Sequence, residues 1–160
     1  MPPRRPGLRI AGALSCLCLL LGGCARAPEI SGPTLHGADA DACEALVGAL
    51  PTHVDGQSRR TVRRSGSYGA TWGDPAIALT CGVPRPKGQD KFAACTVADG
   101  VGWFLPPGAG RDSQQITITT IGRAQNVQVV IPRADFPPAA TMVDLAPAIK
   151  RTIRETHPCV

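Results

Sequence analysis

Seven cysteines, three histidines and one serine set between glycines are the residues of this 160-residue chain best suited to covalent or metal chemistry. Cys16, Cys18 and Cys24 lie close together, but residues 10–28 hold no histidine or acidic side chain to complete a metal's tetrahedral set. His36, His53 and His157 have no ligand partner at helical or hairpin spacing, so each is expected on a surface loop. Gly66-Ser67-Tyr68-Gly69 presents a serine without the elbow spacing of G-x-S-x-G and reads as a turn. No phosphate-binding glycine loop and no H-E-x-x-H occurs. Asp39 and Asp41 suit the start of a helix, where the dipole favours negative charge. These residues imply no catalytic centre, no metal and no cofactor, and therefore a protein that is not an enzyme.

Binding needs less. Arg59-Arg60-Thr61-Val62-Arg63-Arg64 is the densest basic cluster. On a strand, Arg60 and Arg64 would face one way and Arg59 and Arg63 the other. Such a cluster suits either a solvated edge strand or contact with anionic headgroups. Trp72, Asp74, Arg85 and Arg123 are expected to line a binding rim, offering stacking surface and charge rather than reactivity. Core packing is the competing role for Trp72 and for Trp103.

The N-terminus fixes where such a domain would work. Arg4, Arg5 and Arg9 precede an apolar run from Ile10 to Leu21. That run is too short to span a bilayer, which takes roughly 20 helical residues. It has the length of a signal-peptide core. Leu21-Gly22-Gly23-Cys24 resembles the lipobox of bacterial lipoproteins. The resemblance implies a diacylglyceryl group on the Cys24 thiol and cleavage before it. Residues 1–23 are then a leader, and the protein is lipid-anchored on the extracytoplasmic face of the cell membrane. The competing reading is an ordinary secreted protein cut near Ala25 or Ala27.

Removing the leader takes three arginines, so the formal charge of +5 falls to about +2. The basic balance is thus poor evidence for nucleic acid, and none is expected as a partner. Cys43, Cys81, Cys95 and Cys159 remain beside the anchor cysteine, and an even number in an exported domain reads as a disulfide framework. Three connectivities are open. The expected one pairs Cys81 with Cys95 across neighbouring strands and Cys43 with Cys159 between the terminal helices.

The elements that position these residues follow from periodicity. Residues 24–38 lack an apolar period and read as a flexible tether, leaving 39–160 as one domain. Cys43, Leu46, Val47 and Leu50 share one helical face, with Asp41 and Glu44 as a capping pair and Pro51 as the stop. Short β-like runs follow. The clearest is a hairpin joining 115–122 to 126–132 through Gly122–Asn126, with one face buried. Asp74-Pro75 suits a type I turn. Leu145, Ile149 and Ile153 mark a second helix, with Asp144 as N-cap and Pro147 in its first turn. The expected class is α+β: a mostly antiparallel sheet of five to seven strands, with an N-terminal and a C-terminal helix packed on one face.

The segments "LPTHVDGQSRR", "WGDPAIALTCGVPRP", "VGWF" and "TTIGR", in that order behind the lipobox, resemble a family of actinobacterial envelope lipoproteins, domain of unknown function 3515. The resemblance spans nearly all of the mature chain. It implies an envelope location and one compact domain, and it carries no catalytic residues. The expected function is a non-catalytic binding or assembly module held to the membrane by its lipid, with envelope proteins or cell-wall components as partners. The alternative is an enzyme acting on a cell-wall or lipid substrate.

Overall fold

Alternating apolar residues dominate the middle of the chain, and there the sheet forms. The computed structural model describes residues 29–64, 66–89, 93–110 and 113–159. After β1 (Glu29–Ile30) and α1 (Gly37–Ala49) come β2 (His53–Val54), β3 (Gln57–Arg60) and β4 (Arg63–Arg64). The central strands are β5 (Gly69–Trp72) and β6 (Ile77–Cys81), followed by β7 (Cys95–Ala98) and β8 (Val101–Phe104). The hairpin β9 (Gln115–Ile121) and β10 (Val127–Pro132) precedes α2 (Ala139–Thr152). Eight strands make one antiparallel sheet in the order β2-β3-β5-β6-β10-β9-β8-β7, one strand beyond the range expected from the sequence. β1 and β4 form a separate two-stranded parallel ladder.

Strand parity assigns the two faces of the sheet. Ile77, Leu79 and Cys81 of β6, Ile116 and Ile118 of β9, and Val127, Val129 and Ile131 of β10 turn toward the helices. There they join Cys43 and Leu46 of α1 and Met142, Leu145 and Ile149 of α2 in the core. Trp72 and Trp103 lie on this face and are wholly buried. The Trp72 indole N–H donates to the Pro51 carbonyl at 3.1 Å, which gives the ring a polar partner at the edge of the core.

The opposite face carries the register row Cys95, Phe104, Thr119, Gln128, Thr80 and Gly69. Coil covers it. Ile30 packs on Gly69, Gly32 lies over Thr80, Leu35 sits beside Gly82, and Cys159 passes beneath Gly102. Part of the segment expected to be tether is therefore built into the domain: Glu29–Ile30 is a strand, and Ile30 is buried.

The parity also corrects the disulfides. Cys81 and Cys95 project from opposite faces of the sheet and cannot meet. Cys43 on the buried side of α1 bonds Cys81, and Cys95 bonds Cys159 of the C-terminal tail, with Cα–Cα separations of 5.7 and 6.0 Å. The expected pairs Cys81–Cys95 and Cys43–Cys159 do not form.

Both helices begin earlier than their caps suggested. α1 starts at Gly37 with His36 as an N-cap that makes no side-chain bond, so Asp41 lies inside the helix. α2 starts at Ala139, because Thr141 and Met142 already belong to its buried stripe. Asp144 is thus mid-helix, where it accepts the Asp55 backbone N–H at 2.8 Å, and Pro147 is interior. The Asp74–Pro75 peptide, on the β5–β6 turn, is cis.

Candidate functional site

Beyond β9 the chain turns at Gly122, and beyond α2 the last residues come back to the same place. Arg123 and Glu155 form an antiparallel bridge. The Thr156 N–H donates to the Gly122 carbonyl at 2.7 Å, and the Ala124 N–H donates to the Arg154 carbonyl at 2.9 Å. The tail then crosses the coil-covered face of the sheet and is bonded to β7 through Cys95–Cys159. Two glycines make room for it. A Cβ on Gly122 would collide with the His157 carbonyl oxygen, and one on Gly102 would stand 2.9 Å from the Cys159 Cβ.

A cleft of about 410 Å³ opens between this tail and the loop after β6. Its size falls within the roughly 300–1,000 Å³ usual for small-ligand pockets. Arg85 and Gln89 come from the loop, Arg123 and Asn126 from the β9–β10 connection, and His157 and Cys159 from the tail. A smaller hollow of about 140 Å³ on the tail's other flank shares Arg123 and His157.

Arg123 organises the floor. Its side chain is only 4% exposed. It donates to the carbonyls of Ile153 at 3.2 Å and Gly100 at 3.0 Å, and pairs with Glu155 at 3.2 Å. Those bonds tie the end of α2 and the β7–β8 turn to the β9–β10 connection. Asn126 donates to the Val83 carbonyl and Gln89 to the Thr120 carbonyl, which hold the loop that carries Arg85. Glu155 offsets much of the Arg123 charge, so the positive group presented at the mouth is Arg85, with the His157 imidazole nearby; both are exposed.

The four residues of the expected rim therefore separate. Arg85 and Arg123 share the cleft. Trp72 is in the core and offers no stacking face to a ligand. Asp74 is on the β5–β6 turn, ion-paired with Arg60 at 3.1 Å. Asn126, Gln89 and His157 were not singled out as binding residues. Only the tail's return to Gly122 brings His157 there, and no sequence spacing signals that contact. Ser67 is buried beside Gly32 rather than displayed for attack. Among the described residues no group of His, Cys, Asp or Glu could hold a metal ion.

The fold and cleft define a disulfide-stapled α+β domain with a pocket of ligand size and a cationic mouth. The chain belongs to the family described as "Protein of unknown function (DUF3515)", which matches residues 13–158. No curated protein and no solved structure matches it.

Proposed function

We propose that this chain is an extracytoplasmic lipoprotein, acylated on Cys24, whose domain binds an acidic small molecule or an acidic terminus of an envelope component without turning it over. The cleft carries this reading, since Arg85 and His157 stand exposed at its mouth above a floor fixed by Arg123 and Asn126. A hydrolase would need a nucleophile or activated water with a base in hydrogen-bond reach. The sulfurs at this cleft are held as the Cys95–Cys159 disulfide, and arginine stays protonated, which suits anion binding better than proton transfer.

Two observations support the location. Both pairs of domain cysteines are bonded, as suits an oxidising compartment. The family match begins at residue 13, so Leu21-Gly22-Gly23-Cys24 lies inside it. No described helix is long and apolar enough to cross a membrane. Attachment by two acyl chains is enough for stable anchoring.

The test has two arms. Mass spectrometry of protein recovered from membranes should find a diacylglyceryl-modified Cys24 at the N-terminus, and Cys24→Ala should leave the processed, acylated form absent. The purified protein is then titrated with peptidoglycan fragments, ester substrates and envelope lipids. Saturable binding of an acidic compound, lost in Arg85→Ser, is expected. Multiple turnovers on any compound, abolished by one substitution, would establish the enzyme instead.

A further inference from the structure

The basic cluster at 59–64 has no role in the cleft, and its pairing with β1 gives it another. β4 is the second half of that cluster, and it pairs in parallel with β1: Glu29 opposite Arg63, and Ile30 opposite Arg64. β1 is held to the domain by Ile30, which is 3% exposed and packs on Gly69. Residues 25–28 alone separate Cys24 from this ladder. Five Cα–Cα steps of at most about 3.6 Å place Glu29 within about 18 Å of the Cys24 backbone. An acylated Cys24 has its backbone at the headgroup layer. The β1–β4 corner is then the part of the domain that must stay close to the bilayer.

The chemistry at that corner is graded. Arg59 turns inward and donates to the Val47 and Leu50 carbonyls at the end of α1. Arg60 is engaged by Asp74 and the Gly73 carbonyl. Arg63 is exposed on the ladder itself. Arg64 follows it in the same strand. We propose that the β1–β4 corner, through Arg63, docks on anionic phospholipid headgroups and so fixes how the domain sits on the membrane. The inference rests on acylation of Cys24. The leash brings the corner to the surface, and each basic residue near an anionic surface strengthens attachment about fivefold. The cleft is clear of this contact: no residue of β1, β4 or β5 lines it.

Hydrogen exchange on the lipidated full chain tests the docking, in phosphatidylcholine vesicles with and without phosphatidylglycerol. Amides of residues 59–64 should exchange several-fold more slowly on the anionic vesicles, and 0.5 M salt should abolish the difference. Arg63→Ser should abolish it too, while Arg63→Lys retains it. Lys150→Ser with Arg154→Ser, which removes two charges elsewhere, should leave it intact. Equal exchange on both vesicle types, or protection of α2 instead, overturns the docking. Recovery of the native chain from membranes with no lipid on Cys24 overturns the anchor itself, and N-terminal mass spectrometry tells these failures apart.

Discussion

Asp55 occupies a left-handed turn (φ 50°) between β2 and β3, with Asp135 and Asp144 nearby. Burial, and then the negative charge of Asp135 with a contribution from Asp144, raises its pKa above the ordinary value of 3.8; a hydrogen bond from Thr141 works against the shift. A raised folded pKa means that the native state holds the proton more tightly than the unfolded chain. Stability from this group therefore falls as pH rises from about 3.8 through the raised value. Asparagine tolerates the left-handed conformation and can still accept from Thr141. Asp55→Asn should unfold at a slightly higher urea concentration than the parent at pH 7, with the two midpoints converging below pH 3.8. A lower midpoint at pH 7 would refute the account. Single residues were unevenly legible from sequence. Arg85 and Arg123 were singled out as binding residues and share a cleft, because exposed or pairable arginines follow from residue type. Trp72 and Asp74 were grouped with them, yet Trp72 takes the competing core role and is fully buried, and Asp74 is committed to Arg60. Burial of that kind is decided by strands distant in sequence.

At the scale of elements, Gly122 is where the β9–β10 connection and the tail compete for space. It has φ 73°, and a methyl group there would strike the His157 carbonyl oxygen. Gly122→Ala should cost about 1–3 kcal/mol in chemical denaturation, combining backbone strain at positive φ with displacement of the tail. Amides of 155–157 should exchange faster in the variant, while Cys95–Cys159 still closes. Unchanged exchange there would mean that the tail does not depend on this glycine. The β9–β10 hairpin was readable because Ile116 and Ile118 alternate with threonines, and Val127, Val129 and Ile131 share parity with them. Both helices were found by their apolar stripes, but their starts were misplaced: Asp144 accepts the Asp55 backbone N–H in mid-helix, and Asp41 lies inside α1. Two hairpins turn at Asp-Gly, 55–56 and 99–100, each with both residues at positive φ. That dipeptide is a strong hairpin signal, and β2 was missed because a two-residue strand has no period of its own.

For the molecule as a whole, the class of fold was legible and its cross-links were not. Sequence distance favoured joining Cys81 to Cys95, yet the parity of two strands sets them on opposite sides of the sheet. That parity emerges only once the full pairing register is known. In the chain-entropy picture each observed bond, closing 38 or 64 residues, contributes about 4 kcal/mol. The arrangement has a further effect on how the protein can come apart. The bonds neither nest nor overlap along the chain, so the covalent backbone consists of two closed rings joined by the single strip 82–94. A protease cut inside either ring opens a loop but liberates nothing. A cut in the strip, such as tryptic cleavage after exposed Lys87, divides the molecule into halves held only by packing. Denaturing gels run without reductant should show two fragments from that site and an undivided band from any ring cut; ring-cut fragments parting without reductant would contradict the pairing. If Cys24 carries the anchor, a nick in residues 25–28 sheds the whole domain with both rings intact, whereas a nick in the strip leaves the first ring at the membrane and lets the second diffuse away.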